Sequence, residues 1–284
     1  MNIEWYPGHM TKAMRQMKEN LKKIDLILEI RDARIPITSA NPDLYELTRD
    51  KIRICIFNKA DLADGDVSLA FAKEFKEKGE KFLFIDARDS SVRKKILKEI
   101  DLASLPKRER DRKRGIRKSM IRIMALGIPN AGKSTVINLL AGKKSMKTGN
   151  RPGVTRGSSW IHLAGGYDLM DTPGVLWPKF SNPLDGVKLS LTGAVSDDVT
   201  DTVELSMELI KLIVSLYPGR LSQCYNIDET EDENDTLREI AVSRNLILPG
   251  GGEDLRRAAL LLVNDLRSGS LGPVTLDRPI RGKI

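Results

Sequence analysis

The run Gly127-Ile-Pro-Asn-Ala-Gly-Lys-Ser134 follows an apolar stretch, Ile121 to Leu126, and leads into a helical pattern from Ser134 to Ala141. A strand that turns through glycines into a helix N-terminus offers backbone N–H groups and a positive dipole end to an anion, so this is a phosphate-binding loop. A second polar stretch, Asn58-Lys-Ala-Asp61, closes the apolar run Ile52 to Phe57. A carboxylate there can accept both N–H groups of the guanine N1 and N2 edge, a donor pair that adenine lacks. The guanine-reading stretch precedes the phosphate loop, the reverse of the usual order. Loops of a nucleotide-binding sheet must be neighbours in space, not in one fixed sequence order, so the inversion constrains the chain to a circularly permuted α/β domain.

The rest of the pattern agrees with that constraint. Apolar runs Ile24 to Ile30, Ile52 to Phe57 and Phe82 to Ile85 each end in a polar loop and read as buried parallel strands. Helical patterns at Leu69 to Lys78 and Val92 to Ile100 alternate with them, which predicts a mostly parallel sheet with helices on both faces. Ser159 to Leu163 and Tyr167 to Met170, joined by Ala164-Gly-Gly166, predict a hairpin whose first strand is an antiparallel edge. Met10, Met14, Met17 and Leu21 recur at helical spacing among basic residues and predict an amphipathic helix over 9–23. Beyond Pro178 strand signals fade, and Val203 to Leu216, Asp235 to Ser243 and Leu255 to Leu266 predict helices. The acidic run Asp228 to Asp235 between two of them reads as a solvated loop. The expected organisation is an α/β P-loop domain over 1–178 and a small all-helical domain over 179–284, in a chain of 284 residues long enough for two cores.

Roles follow from residue chemistry. Backbone groups of Asn130, Ala131, Gly132, Lys133, Ser134 and Thr135 line the phosphates, and the Lys133 ammonium reaches the β and γ phosphates. The Ser134 hydroxyl is an Mg²⁺ ligand. Asp171-Thr-Pro-Gly174 ends the hairpin, where Asp171 can hold Mg²⁺, usually through water, and Gly174 can offer its N–H to the γ phosphate. Thr155, on the glycine-containing loop between these motifs, is the expected sensor of the γ phosphate and Mg²⁺. Asn58, Lys59 and Asp61 form the base-reading motif; Asp86-Ala87-Arg88 closes the next strand, where the Ala87 N–H could meet guanine O6. GTP and GDP are therefore the expected ligands.

These motifs, together with Trp5-Tyr-Pro-Gly-His-Met10, Asp32-Ala-Arg34-x-Pro36 and Pro152-Gly-Val-Thr155, resemble those of the circularly permuted GTPases, and most closely the bacterial ribosome biogenesis GTPase A family. The motifs cover residues 5 to 178; past 180 the resemblance rests on length and helical character. It implies a GTPase that binds the immature large (50S) ribosomal subunit in its GTP state, assists late assembly through contacts with rRNA and ribosomal proteins, and leaves after hydrolysis. Ras-type GTPases place a glutamine after the Asp-x-x-Gly glycine to orient water, whereas this chain has Val175, so intrinsic turnover is expected to be slow. That substitution keeps open an RNA-binding module whose nucleotide is structural. Two groups can supply the missing element. Asn130 resembles the asparagine of cation-dependent GTPases that helps bind K⁺, its alternative being an ordinary loop cap. His9 can orient or activate water near neutral pH once a partner is bound, its alternative being a helix cap or surface residue.

Charge locates the partner surface. Nine basic residues from Lys107 to Arg122 face only Glu109 and Asp111, a net +7 in a chain whose total is +8. This basic linker, about 104–120, reads either as a phosphate-backbone contact or as a solvated connector. Cys55 lies within an apolar run and reads as core, so no disulfide or structural metal is expected. No signal-like start or membrane-length apolar run occurs, and a cytoplasmic monomer that does not act at a membrane is expected.

Overall fold

The computed structural model describes residues 8–142, 159–180, 182–230 and 232–279, and only the backbone of His9 and Ser159. Trp5, Pro152 and Thr155 lie outside the described residues.

Among the described residues six strands form one sheet: β1 Leu26–Asp32, β2 Ile52–Asn58, β3 Phe82–Phe84, β4 Ile121–Gly127, β5 Ser159–Leu163 and β6 Tyr167–Asp171. Their order is β3-β2-β1-β4-β6-β5, parallel throughout except that β5 runs antiparallel to β6 at the edge. The chain builds outward from β1 to β3, returns to the centre, and builds outward again on the other side. The reversal falls between β1 and β4, and such a switch point opens a crevice at the carboxyl ends of the strands. Register brings the motifs to that edge: Asp32 lies opposite Asn58, Ile30 opposite Gly127, and Ala125 opposite Asp171.

Alternation along β2 shows why both faces need helices. Ile54 and Ile56 belong to the main core, whereas Cys55 and Phe57 point the other way into a smaller one. Helix α3, Gly65–Glu77 in chain order after α1 Gly8–Asn20 and α2 Pro42–Leu47, covers the smaller core with Phe71 and Phe75. Phe57 stacks between Phe75 and Phe84 there. On the main-core side, α1 buries Met10 and Met17, and the 3-10 turn after it buries Leu21, as the spacing predicts, whereas Met14 is only half-buried and Ala13 enters the core in its place. Burial pushes the Cys55 thiol up to about 12, in keeping with an inert core cysteine.

The return to the centre is made by α4, Val92–Lys113, followed by the strand β4 and the helix α5, Lys133–Ala141. This corrects the expected linker. The helix runs on past Ile100 through Pro106, because Ile96, Ile100, Ala103 and Ser104 keep one face buried and Asp111 is fixed by Lys107 and Ser119. Pro106 and the density of charge hid that periodicity. Lys107 also bonds the Met120 carbonyl, and Arg108 packs over Tyr167, so both are structural. Arg110, Arg112, Lys113, Arg114, Arg117 and Lys118 are exposed.

The C-terminal part contains α6 Pro183–Leu191, α7 Thr202–Leu216, α8 Arg220–Tyr225, α9 Glu233–Ser243 and α10 Leu255–Ser268. Asp201, Asp232 and Asp254 cap three of these helices by accepting first-turn N–H groups. The acidic run does more than stay solvated: Glu229 accepts the N–H groups of Gly219 and Leu221 at the start of α8. Leu209, Ile213, Leu237, Ile240 and Leu262 form its interior. That interior forms one continuous hydrophobic core with the sheet domain, and Val175, Leu176 and Trp177 are part of it. After α10 a strap, 271–279, crosses back to the base-reading half. Val274 donates to the Leu62 carbonyl, Leu276 to the Arg34 carbonyl, and Asp277 accepts from the N–H groups of Ile37 and Thr38, the Thr38 hydroxyl and Lys188. Among the described residues no helix is long and apolar enough to cross a membrane.

Candidate functional site

At the end of β4 the chain turns through 128–132 into α5, and the turn needs two left-handed residues, Asn130 at φ 57° and Gly132 at φ 91°. A Cβ on Gly132 would lie 2.0 Å from Asn58 Nδ2, so glycine is required by both backbone and neighbour. Asn58 explains the crowding. Its Nδ2 donates to the Ala131 carbonyl and its Oδ1 accepts from the Ala87 N–H, each at 3.0 Å, which ties the phosphate loop to both base-side loops. The Ala87 N–H expected to meet guanine O6 is thus committed to Asn58.

Lys133 opens α5 and is buried beside Asp171, which ends β6 and is wholly enclosed. Burial pushes the Lys133 ammonium below its ordinary value, and the Asp171 carboxylate opposes the shift. Ser134 and Thr135 follow, half-buried, at the helix N-terminus. The Asp171-Thr-Pro-Gly174 loop is fixed by Thr172, whose hydroxyl donates to the Ala125 carbonyl at 2.6 Å. A Cβ on Gly174 would approach Pro129 to 2.8 Å, so this loop lies directly against the phosphate loop. After Gly174 the chain leaves the site: Val175 and Leu176 are buried, and Trp177 packs edge-on against Phe180. No side chain at 175 can therefore orient water.

On the base side, Lys59 takes a left-handed conformation, φ 61°, which among the described non-glycine residues is otherwise adopted only by asparagines. The strain is held by a buried ion cluster. Lys59 Nζ and Arg34 Nη2 each lie 2.8 Å from Asp32 Oδ2, and Arg34 N and Nε donate to Asp32 Oδ1. Burial alone would raise the Asp32 carboxyl, but Arg34 and Lys59 more than offset it and hold it well below the usual carboxylate range. Asp61 stands at the mouth of the base side, bonded by Arg88, which also bonds Asp86. The sequence assigned no role to Asp32 and Arg34, although an Asp-x-Arg at a strand end beside the base-reading strand was their signal.

Asn130 donates from Nδ2 to the carbonyl of Gly193, in the turn after α6, at 2.6 Å. The phosphate loop therefore touches the helical unit directly. The Thr155 and His9 side chains lie outside the described residues, so the geometry places the guanine motif, the phosphate loop and Asp171 around one crevice without them.

Comparison with known proteins gives a consistent result. A family model described as "50S ribosome-binding GTPase" matches residues 122–243, a stretch that begins at β4 and excludes the base-reading loop upstream of it. A protein named "Ribosome biogenesis GTPase A" from Priestia megaterium is 41% identical over 281 residues, covering 98% of each chain. Its namesake from Bacillus cereus is 39% identical over 280 residues, covering 98% of this chain and 95% of that one. Among solved structures, GNP-bound YlqF from T. maritima superposes with a TM-score of 0.69 at 25% identity, covering 94% of this chain and 98% of that chain. The GDP-bound structure of YlqF shares the fold with a TM-score of 0.70.

Proposed function

This chain belongs to the ribosome biogenesis GTPase A family and is a GTPase, and we propose that it binds the immature large ribosomal subunit in its GTP state, promotes late maturation and leaves after hydrolysis. The observation that carries this reading is the convergence of Asn58, the 127–134 loop and Asp171 at one sheet edge, in contact with a helical unit through Asn130 and Gly193.

In the proposed mechanism the N-terminus of α5 and the loop N–H groups cradle the phosphates, and Lys133 neutralises charge on the β and γ groups. The pair of hard oxygen donors at Ser134 and buried Asp171 fits Mg²⁺, which these residues and Thr155 would hold together with substrate phosphates, and which would supply charge stabilisation to the transferred phosphoryl. Asp61 accepts from the guanine N1 and N2 edge. Val175 leaves hydrolysis without a water-positioning side chain, so turnover alone is slow. We assign that task to His9, in the first turn of α1, brought to the γ phosphate on the ribosome. K⁺ at Asn130 is the proposed auxiliary cation, tested by comparing turnover in potassium and sodium salts.

The grip on RNA comes from the exposed cations at the end of α4, Arg110, Arg112, Lys113, Arg114, Arg117 and Lys118, with the N-terminal helix and the helical unit. The protein acts as a cytoplasmic monomer. Co-sedimentation with separated ribosomal subunits, with GDP or a non-hydrolysable GTP analogue, tests the reading. Binding to the large subunit only in the triphosphate state is expected, and equal affinity in both states would sink it, since a ligand without differential affinity shifts nothing. His9→Ala is expected to abolish ribosome-stimulated hydrolysis.

A further inference from the structure

The buried ion cluster at the base side continues into the helical unit. Arg34 uses Nε, Nη2 and its backbone N–H on Asp32, and turns Nη1 to the carbonyl of Leu266 at 3.2 Å. Leu266 lies in the last turn of α10, where carbonyls lack intrahelical donors and carry the negative end of the helix dipole. The Arg34 carbonyl in turn accepts from Leu276 of the strap. Asp32 and Arg34 are each 1% exposed, and the third member of the cluster, Lys59, belongs to the guanine-reading motif. An unbroken line of charge-assisted bonds thus runs from the base side of the nucleotide site to the end of α10.

We propose that Arg34 is a positioning residue which, through Asp32, holds Lys59 in its strained guanine-reading conformation only while the end of α10 is seated, so that guanine occupancy and α10 docking form one equilibrium. The physical argument is desolvation. When α10 covers Arg34, the Arg34–Asp32–Lys59 cluster sits in a low-dielectric interior, where each ionic bond is strong. Lifting α10 removes the Leu266 carbonyl, admits water and weakens both bonds to Asp32, and Lys59 loses the anchor that offsets its left-handed backbone. Linkage makes the effect reciprocal: a nucleotide that needs Lys59 in place favours seated α10. This route starts from the base side of the nucleotide site and not from the γ phosphate. It responds to the base and is engaged by GDP as well as GTP. It rests on the reading that the Asn58 to Asp61 loop holds guanine.

Amide hydrogen exchange on the full chain, with and without GDP, tests this. At GDP about 100 times its Kd, openings that release the base become about 100-fold rarer, and exchange at residues 266–277 is expected to slow toward that limit. Arg34→Lys keeps a cation for Asp32 but cannot also reach Leu266. In this variant GDP still binds, and exchange at 266–277 no longer responds to it. If Arg34→Lys does not fold, Lys59→Met serves instead, because it leaves the Arg34 bond to Leu266 and the strap bonds in place. At saturating GDP it is expected to lose the same response. Wild-type exchange unaffected by bound GDP, or a full response in the folded variant, overturns the proposal while leaving the nucleotide site intact. A wild-type chain that fails to bind GDP on the same samples overturns the site reading, and the proposal with it.

Discussion

Asp61 in the base-reading loop and Asp32 at the end of β1, bonded to Lys59 of that loop, are two carboxylates with opposite tasks set by their surroundings. Asp61 is at the surface with one exposed partner, Arg88, which can yield to a base edge. Asp61→Asn is expected to weaken GDP by about a hundred- to ten-thousandfold, from two charge-assisted bonds, and to favour xanthine nucleotide, whose C2 carbonyl accepts from the new amide. Competition binding with GDP and XDP checks it. Asp32 is buried and already saturated by Arg34 and Lys59. Because its folded pKa is depressed, its contribution to stability is complete above the ordinary aspartate value of about 3.9 and is lost as pH falls below that toward the depressed one. Urea unfolding at descending pH should show the wild type losing stability below pH about 4 more steeply than Asp32→Asn, which starts lower at neutral pH. Sequence made Asp61 legible because its motif states its chemistry. It showed Asp32 only as part of an Asp-x-Arg motif without a role, because the partners that define that role are Lys59, just past the end of the next strand, and Arg34 beneath a distant helix.

The phosphate loop shows how elements restrict one another. Gly132 was readable as a loop glycine, but not that Asn58 would stand against it and bridge to Ala87. Gly132→Ala strains a left-handed position and displaces Asn58; two bonds at about 1 kcal/mol each and a comparable backbone term predict about a hundredfold weaker nucleotide binding. A fluorescent GDP analogue would measure it, with circular dichroism expected to show an intact fold. Helix α4 carries the complementary lesson. Its first turns were legible by period, whereas the turns beyond Ile100 were not, since what holds them is burial of Ala103 and Ser104 and the fixing of Asp111 by Ser119, which follows the helix. The short helices α2 and α6 each start at a proline after an asparagine cap, a signal present in Asn41-Pro42 and Asn182-Pro183 but too brief to stand out from loop composition.

At the scale of the whole molecule, the strap 271–279 makes the helical unit and the sheet domain one body. Asp277 is the central knot, because it satisfies two backbone N–H groups, a hydroxyl and Lys188 in a buried setting. Asp277→Ala leaves those donors without an acceptor and is expected to cost about 3–5 kcal/mol, seen as a lower urea midpoint. The change should also loosen the seating of α10 over Arg34. The motifs by themselves determined the nucleotide, and their inverted order the permuted, mostly parallel sheet, because each depends on local residue chemistry and on which strand ends carry it; the strand order and its switch point came from the structure. Hydrophobic period likewise determined α1, α3, α7, α9 and α10, and of α4 only the first turns. What only the tertiary structure decided was how the two halves are joined: Asn130 on Gly193, Arg34 on Leu266 and Asp277 on Thr38. These bonds link residues far apart in the chain, often through backbone carbonyls or N–H groups that every residue type shares, so no residue identity in the sequence could announce them.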